Sequence, residues 1–207
     1  MHKSKTILAG YSEHGLVVSE AYLLSGENID GYLEPNPVEM NPFNLVYLGI
    51  ETDPNFNGFN SDNKFILGIG DNYTRSKIGK LIQIKDCSLL NVVHPSASIT
   101  KLITIGTGNF ISKNVSINPL VTIGDFCIIN TASIIEHGCS IADAVHIAPG
   151  VVLCGNVSVG ENTFIGANAV IKQGITIGKN VIIGAGSVII NDIADNLKVV
   201  GNPARII

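Results

Sequence analysis

The stretch VTIGDFCIINTASIIEHGCSIADAVHIAPGVVL, residues 121–153, decides the fold because an aliphatic residue recurs in it at every sixth position. The same spacing continues from Ile99 to Ile189 without an insertion. The sixteen members of this column are Ile99, Ile105, Ile111, Ile117, Ile123, Ile129, Ile135, Ile141, Ile147, Leu153, Val159, Ile165, Ile171, Ile177, Ile183 and Ile189. A helix cannot keep a period of six on one face, whereas a coil whose straight faces are six residues long can.

Three such faces make a triangular turn of 18 residues, and stacked turns bury the aliphatic column inside a parallel β-helix. Sixteen hexapeptides predict about five turns and a prism roughly 25 Å tall at the spacing of stacked strands. Glycines that follow the column are predicted to form corners with positive φ. They are Gly106, Gly124, Gly160, Gly166, Gly178 and Gly184. We expect the N-terminal region to cover one open end of the prism and residues 192–207 the other.

Composition excludes several classes of protein. No apolar run approaches the ~18 residues of a membrane span, and the patch Thr6–Ala9 is too short for a signal peptide, so we predict no membrane insertion. A net charge of −4 and the lack of a Lys/Arg cluster argue against binding to nucleic acid. The four cysteines have no metal-type spacing, and three fall inside the repeat as small hydrophobes. We therefore predict no metal and a reduced, cytoplasmic protein.

The N-terminal region has a different pattern. Strand, glycine-rich turn, helix and strand follow one another there, which indicates a small, parallel, Rossmann-like βαβ sheet. The predicted strands are Thr6–Ala9, Ile29–Leu33, Phe65–Ile69 and Leu89–Val93, and the predicted helices are Leu16–Leu24 and Arg75–Ile82. We predict a mixed fold, with an α/β domain at 1–94 and the β-helix domain with its C-terminal cap at 95–207. The segment 38–64 has no pattern that predicts its fold.

Ligands of such sheets bind at the carboxyl ends of the strands, where helix N-termini point N–H groups at anions. Three turns are expected at this edge: Gly10–Gly15, Glu34–Asn36 and Gly70–Asn72. The first turn is not GxGxxG, which disfavours a nicotinamide-dependent dehydrogenase. Glu34 follows it by about twenty residues, a spacing suited to a ribose hydroxyl, although a solvated acid at a strand end explains it equally well.

One polar cluster, Asn130-Thr131-Ala132-Ser133-Ile134-Ile135-Glu136-His137, departs from the repeat. Asn130 and Glu136 occupy positions where Gly, Ala or Ser would be routine. The ring of His137 is predicted to point outward. His146 lies nine residues on, half a turn away, so the two imidazoles sit on different sides of one prism. They can meet only across a neighbouring prism, which predicts an oligomer with sites between protomers.

Several motifs recur together with the hexapeptide rule: the turn with Ser12 and His14, the strand end Ile69-Gly70, His94-Pro95, the segment INTASIIEHGCSIADAVHIAPG and Val200-Gly201-Asn202-Pro203-Ala204. The combination, which spans nearly the whole chain, resembles the bacterial left-handed β-helix sugar acetyltransferases. That family includes sialic-acid O-acetyltransferases and UDP-4-amino-sugar N-acetyltransferases of glycan biosynthesis. The resemblance implies a left-handed coil, a homotrimer, acetyl-CoA in the groove between prisms and a nucleotide sugar on the N-terminal domain.

Roles follow from the resemblance by position. His137 corresponds to the general base and His146 to a contact of the acetyl-CoA arm. Gly155 presents a backbone N–H to the thioester oxygen, and Asn130 positions the sugar. Backbone positions lining the coenzyme groove correspond to Ala167 and Ala185, and the nucleotide-sugar pocket corresponds to Ser12, Glu13, His14, Glu34 and Gly70.

The chemistry suits these residues. An amine that attacks a thioester must lose a proton, and a general base contributes roughly 10²- to 10⁴-fold. One fixed donor to the oxyanion contributes about 2.7–4 kcal/mol. Two positions depart from the relatives: Gly138 replaces an acidic residue after the base, and Glu13 replaces a glycine. Glu136 is the candidate substitute, although neighbours in a strand face opposite sides. Because a carboxylate repels a diphosphate, Glu13 is expected to point outward or to contact the nucleobase.

The leading prediction is an acetyl-CoA-dependent N-acetyltransferase acting on a nucleotide-linked sugar, with UDP-4-amino-4,6-dideoxy sugars as the expected substrates. O-acetylation of a sugar such as sialic acid is the alternative. A β-helix carbonic anhydrase needs three histidines around zinc, and besides His137 and His146 the prism offers only His94. A non-catalytic scaffold is the remaining class, and the polar cluster from Asn130 to His137 argues against it.

Overall fold

The computed structural model describes residues 4–53 and 56–207. Within them, the N-terminal domain is a five-stranded parallel sheet in the order β3-β2-β1-β4-β5. Its strands are β1 (Thr6–Ala9), β2 (Gly31–Leu33), β3 (Val46–Tyr47), β4 (Lys64–Leu67) and β5 (Ser88–Leu89). The predicted α/β sheet is confirmed. The strand that sequence patterning missed, β3, lies at the edge beside β2, inside the segment for which no fold was predicted.

Two helices in the described residues connect these strands, and both begin earlier than predicted. Helix α1 spans Glu13–Leu24 and helix α2 spans Asn72–Ile84. The Asp71 side chain accepts a hydrogen bond from the Thr74 backbone N–H and thereby caps α2. Hydrophobic periodicity locates the first buried residue of a helix but not its polar first turn. The helices therefore include residues that had been predicted to belong to the glycine-rich turns. Both N-termini consequently lie at the carboxyl edge of the sheet.

The remaining strands form the coil, which is a left-handed parallel β-helix as predicted. They are β6 (Val92–Val93), β7 (Ser98–Ile99), β8 (Thr104–Ile105), β9 (Phe110–Ile111), β10 (Ser116–Ile117), β11 (Thr122–Ile123), β12 (Ile128–Ile129), β13 (Ile134–Ile135), β14 (Ser140–Ile141), β15 (His146–Ile147), β16 (Val152–Leu153), β17 (Ser158–Val159), β18 (Phe164–Ile165), β19 (Val170–Ile171), β20 (Thr176–Ile177), β21 (Ile182–Ile183), β22 (Val188–Ile189), β23 (Lys198–Gly201) and β24 (Ala204–Ile206).

Every third coil strand joins the same sheet, which gives the prism three faces. Pairing at intervals of 18 residues, as in Ile117↔Ile135, keeps the aliphatic column in register and inside. From Ile111 onward the column is buried, at 0–3% exposure. Each such side chain contributes ~1.5–3 kcal/mol relative to exposure. An antiparallel pairing of β24 with β23 closes the C-terminal end of one face.

The coil begins before the predicted boundary at 94/95. The single strand predicted over Leu89–Val93 is divided: Ser88–Leu89 pairs with β4, and Val92–Val93 pairs with β9 of the coil. With the additional strands at both ends, the coil makes about six turns instead of about five. The chain therefore passes from one sheet to the other within a few residues, which fixes the two domains against each other.

The corner prediction was wrong in its register. Positive φ occurs two residues after the predicted glycines, at every sixth residue from Gly108 (φ 68°) to Gly186 (φ 67°), and Asn is frequent there. Asparagine tolerates this conformation better than other side chains do. Gly160 and Gly166 are instead required by packing, because a Cβ on either would lie 2.5–2.6 Å from backbone of the next coil.

The N-terminal domain covers a face of the prism and not its end, which corrects the predicted capping arrangement. Outward side chains of the first coils, Val92, Phe110 and Ile128, are buried in one cluster with Leu8 and Val18. We call this side the docked face; it contains β6, β9, β12, β15, β18, β21 and β23. The outward residues of the later coils of this face, Phe164 and Ile182, stay 36% and 44% exposed, so the N-terminal domain covers only the early coils.

The other two faces differ in their outward residues. The polar face, β8, β11, β14, β17 and β20, presents Thr104, Thr122, Ser140, Ser158 and Thr176. The aliphatic face, β7, β10, β13, β16, β19 and β22, presents Ile134, Val152, Val170 and Val188 as one column. Ile134 is 37% and Val170 38% exposed. The described part of the chain contains no helix of the length and apolarity needed to cross a membrane.

Candidate active site

His146 lies on the docked face, just beyond the part covered by the N-terminal domain. Its Nε2 is 3.3 Å from Nδ2 of Asn130, and its ring lines one cavity together with Gly70. The Phe164 ring packs edge-on against it, with centroids 5.0 Å apart. The sequence assigned Asn130 and His146 to the β-helix and Gly70 to the nucleotide-sugar pocket. The fold brings all three together.

His14 joins the same group from the second residue of α1. Its ring centroid lies 6.4 Å from that of His146 and 5.5 Å from that of Phe110. Burial, and secondarily the positive charge of Arg75, lowers the pKa of His14 to about 4 and that of His146 to about 3. Both imidazoles are therefore neutral at physiological pH. Nε2 of His14 is buried and has no hydrogen-bond partner among the described residues.

Two cavities flank the Gly70-Asp71 turn. The larger, of about 650 Å³, lies between the start of α2 and the docked face, and its lining includes His14, His146, Tyr73, Phe164 and Asn162. The smaller, of about 330 Å³, lies at the carboxyl edge of the N-terminal sheet, and its lining includes Gly10, Ser12, Glu34 and Glu51. Since Gly70 and Asp71 line both, a ligand with two parts can occupy both by crossing this turn.

Glu34 and Glu13 occupy different environments at this edge. An Oε1 atom of Glu34 accepts a hydrogen bond from the Tyr11 backbone N–H at 2.5 Å, which ties the first turn to β2. Glu34 therefore has a structural partner and also lines the smaller cavity. Glu13, in the first turn of α1, is exposed, in line with the expectation that its carboxylate points outward.

His137 lies elsewhere, at the corner where the aliphatic face passes into the polar face. Its side chain is exposed, and Glu136 before it is half-buried. The imidazole covers Gly155 on the next coil so closely that a Cβ there would be 2.6 Å from Cε1 and 2.7 Å from Nε2. Only glycine leaves room for this ring position. The side chain predicted to be the base and the N–H predicted to face the thioester oxygen are thus neighbours in one protomer.

Ala167 and Ala185 lie at the opposite edge of the aliphatic face, at the corner shared with the docked face. Asn130 directly follows β12 at the same edge. One protomer therefore carries two separate groups of predicted site residues. The first group is Asn130, His146, Ala167, Ala185, His14 and Gly70. The second group is His137 and Gly155, and the aliphatic face lies between the two.

Sequence reasoning missed several residues that lie beside the first group. Phe164, Ile182 and Asn162 line the larger cavity, and none of them was among the predicted site residues. Arg75 was taken only as the start of a helix, yet it is 1% exposed and contacts the coil. The sequence did contain a sign that Arg75 is unusual: it is the sole arginine in the first 200 residues, and it closely follows a glycine at a strand end.

Comparisons with solved structures identify close relatives of the entire chain. The perosamine N-acetyltransferase PerB from Caulobacter crescentus, in complex with CoA and GDP-perosamine, is 31% identical, with 100% of this chain and 98% of that chain covered and a TM-score of 0.92. The acetyltransferase domain of PglB from Neisseria gonorrhoeae, in complex with acetyl coenzyme A, is 28% identical over 100% of both chains, with a TM-score of 0.89.

The chain belongs to the left-handed β-helix sugar acetyltransferases. The family recognised from the sequence is thus confirmed, and so is the activity at the level of a sugar N-acetyltransferase with acetyl-CoA as the acetyl donor. A family described as "Hexapeptide repeat of succinyl-transferase" matches residues 156–190. WeeI from Acinetobacter baumannii, at 24% identity, 99% and 100% coverage and a TM-score of 0.84, shares the fold. The search of curated proteins found no match.

Three histidines around a metal would be needed for the carbonic anhydrase alternative. Within residues 4–53 and 56–207, no three His, Cys, Asp or Glu side chains converge as a metal-binding group. His94 instead places its Nδ1 2.9 Å from the Ser96 hydroxyl at the start of the coil.

Proposed function

We propose that this enzyme transfers the acetyl group of acetyl-CoA to the amine of a nucleotide-linked 4-amino-4,6-dideoxy sugar. The two cavities that share the Gly70-Asp71 turn support this substrate class, because a nucleotide and a sugar are two parts joined by a diphosphate. The N-termini of α1 and α2 lie at the same edge and offer N–H groups to the phosphates. The nucleotide would occupy the cavity beside Glu34, and the sugar the cavity beside His14.

The main support for the proposal is that the predicted site residues form two groups, one at each edge of the aliphatic face. In a cyclic trimer with this face turned toward the axis, one edge of each prism meets the opposite edge of the next. His137 and Gly155 of one protomer then meet His146, Asn130, Ala167 and Ala185 of its neighbour. The exposed aliphatic column supplies the apolar contact. We propose a homotrimer with three sites, each built from two protomers and each with acetyl-CoA in the groove between them.

His137 is the general base in this proposal. His14 and His146, with pKa values of about 4 and 3, are weak proton acceptors. His137 is exposed beside Gly155, so its ring reaches the seam between protomers. It takes the proton from the attacking amine as the C–N bond forms, and the Gly155 N–H stabilises the oxyanion until the CoA thiolate departs. Asn130 holds the sugar, and Glu136 supports His137 from the preceding position.

The proposal has two versions, which differ in the nucleobase of the sugar donor. The sequence resemblance favours UDP-linked sugars, whereas PerB was solved with a GDP-linked sugar. A thermal-shift screen with acetyl-CoA present and UDP-, GDP- and dTDP-linked 4-amino sugars in parallel distinguishes them, because a ligand that binds the native state raises the unfolding midpoint. We place the reaction in the cytoplasm, where both substrates occur; all four cysteines are unpaired.

The direct test is release of free CoA on mixing the enzyme with acetyl-CoA and each amino sugar, with the product checked by mass spectrometry. We expect N-acetylated sugar and a loss of about 10²- to 10⁴-fold in kcat for His137→Ala. Acetylation of sialic acid with no reaction of any amino sugar would overturn the substrate class. Full activity of His137→Ala would overturn the assignment of the base.

A further inference from the structure

The larger cavity has walls from two domains. Residues 70–73 at the start of α2, together with His14, form one wall, and side chains of the coil, among them His146 and Phe164, form the other. The smaller cavity, in contrast, is lined by residues of the N-terminal domain alone. The width of the larger cavity therefore depends on how the start of α2 is held against the coil.

Arg75 joins this helix start to the coil from a buried position, at 1% exposure. Its Nε donates to the Phe126 carbonyl at 2.7 Å and its Nη2 to the Ala144 carbonyl at 3.1 Å, both in the coil. On the side of the N-terminal domain, Nη1 donates to the carbonyls of Ile69 and Gly70 at 3.3 and 2.8 Å. One guanidinium thus binds carbonyl groups of both domains.

Asn72 extends this contact to the edge of the larger cavity. Its Oδ1 accepts a hydrogen bond from Nη2 of Arg75 at 2.8 Å. Its Nδ2 donates to the carbonyls of Asn162 and Thr163 in the coil, at 3.1 and 3.3 Å. Both ends of the amide are therefore engaged with protein groups. We call Arg75 and Asn72 together the interdomain clamp.

The charge of Arg75 is not matched by a carboxylate. None of the ion pairs among the described residues includes Arg75, and the nearby Asp71 carboxylate is engaged with Thr74 at the cap of α2. Apolar side chains would join two domains at lower cost than a buried charge without a charged partner. A guanidinium adds direction, because its planar fork holds several acceptors at set positions. The clamp is therefore suited to fixing a position.

The middle of α2 rests on the coil through a different, apolar contact. Gly79 packs so closely against the Phe126 ring that a Cβ there would lie 2.6 Å from it. Asn72 lies about 10 Å from Gly79 along the helix axis, so a tilt of about 6° around this contact would move the helix start by about 1 Å. Lys80 and Gln83 also contact the coil, but these contacts are exposed to solvent and constrain the tilt little.

We propose that Arg75 and Asn72 are positioning residues that set the width of the larger cavity, and with it the distance from the bound sugar to His146 and Asn130 on the coil. This role rests on the proposed function, which places the sugar in this cavity. A displacement of about 1 Å can lower a rate about 10²-fold. Loss of the clamp should therefore lower kcat and leave the affinity for the nucleotide, which the smaller cavity would bind, nearly unchanged.

The first test separates kcat from KM in Asn72→Ala, a variant of a half-buried residue. With the nucleotide-linked amino sugar as the varied substrate, we expect kcat to fall about tenfold and KM to change less than about threefold. Gln83→Ala is the matched control, because it removes a contact with the coil at the far end of the same helix, and should keep kcat within about twofold. An unchanged kcat in Asn72→Ala, even with a lower Tm, would overturn the proposal. An equal loss of kcat in Gln83→Ala would do the same.

The second test asks whether the two residues act as one unit. Arg75→Lys should lower kcat about 10- to 100-fold, because a lysine cannot reach all the carbonyls. Adding Asn72→Ala to it should lower kcat less than about twofold further, since residues that act through one another are not additive. Additive losses would assign Asn72 a separate effect on the substrate and overturn the shared role. If Arg75→Lys does not fold, Asn72→Asp keeps the acceptor for Arg75 and loses the donor to the coil; full kcat in this variant would overturn the clamp.

The third test needs no substrate. Hydrogen exchange in the full-length protein should be at least about threefold faster at residues 70–76 in Asn72→Ala than in the wild type, and unchanged at residues 80–84. Equal exchange at residues 70–76 would overturn the clamp. Absence of acetyl transfer by the wild type, together with the expected exchange pattern, would overturn the proposed function and leave the clamp standing.

Discussion

At the scale of the residue, the position of the His137 ring depends on the absence of a side chain at Gly155 in the next coil. Gly155 lies under the imidazole, where a Cβ would be 2.6–2.7 Å from two ring atoms. Ring and backbone cannot both keep their places if a methyl group is added. A glycine whose φ is ordinary is therefore required by a neighbouring side chain, and the two residues assigned to catalysis depend on each other.

Gly155→Ala should displace the His137 ring and reduce acetyl transfer by about 10- to 100-fold, because a misplaced base loses most of its contribution. Steady-state kinetics with a saturating amino sugar measure the loss as kcat. Gly174→Ala is the control on the same corner: its Cβ meets nothing within 4 Å, although its φ of 76° makes alanine strained. That variant should lose ~1–2 kcal/mol of stability and keep its activity. Equal activity of the two variants would contradict the steric argument.

The lowered pKa values of His14 and His146 make stability dependent on pH. In the unfolded chain a histidine takes up a proton near pH 6.5, whereas the folded pKa values are about 4 and 3. The unfolded state therefore binds more protons below pH 6.5, and the folded state loses stability as the pH falls. The contribution is complete above pH 6.5 and is lost progressively toward pH 4 for His14 and pH 3 for His146.

Urea unfolding at fixed protein concentration should show a decrease in the free energy of unfolding of ~2 kcal/mol per histidine between pH 7 and pH 5. His146→Gln removes one of the two titrating groups and should make the slope clearly shallower. A slope identical to that of the wild type would show that His146 is not held neutral.

At the scale of the element, the three faces of the prism have the same interior and different exteriors. The same two-residue strands place Ile, Val or Leu inside, while their outward partners are polar on one face and aliphatic on another. An aliphatic column on a monomer surface is costly to leave in water. The two corners that border this column carry the two groups of site residues. In the proposed trimer, assembly and catalysis therefore use the same element.

Val170→Glu should prevent assembly, because a carboxylate would be buried in the apolar contact between prisms. We expect a folded monomer in sedimentation or light-scattering measurements, with acetyl transfer reduced by at least about 100-fold since the two groups no longer meet. Thr176→Glu, one strand further on the polar face, is the matched control and should remain assembled and active. A trimeric, active Val170→Glu protein would exclude the aliphatic face as the interface.

At the scale of the whole molecule, a site built from two protomers predicts complementation between inactive variants. His137→Ala damages one group of residues and Asn130→Ala the other, so each homotrimer should be impaired at all three sites. When the two proteins are mixed in equal amounts, unfolded and refolded together, about a quarter of the sites receive both intact groups. We expect about a quarter of wild-type activity.

Recovery in this experiment has to come from mixed trimers. The two variants refolded separately and then combined provide the control and should remain inactive. An absence of recovery in the co-refolded sample, with mixed trimers shown by mass spectrometry, would place each complete site within one protomer.

The sequence by itself determined the prism, because a period of six is a local property that each coil repeats with its neighbours. It also determined the α/β character of the N-terminal region and the family, since both follow from short motifs. The register of positive φ at the corners was not predictable from glycine alone, because Asn adopts the same conformation and other glycines serve close packing.

Only the tertiary structure decided what the repeat leaves unspecified. Docking of the N-terminal domain on a face brought His14 and Gly70 into one cavity with His146, although they are far apart in the chain. It also buried Arg75 between the domains, where its charge faces both imidazoles. Periodicity describes contacts between neighbouring coils, whereas these contacts join segments whose spacing follows no period. For that reason the column of isoleucines determined the scaffold, and the docking of one domain on it determined the site.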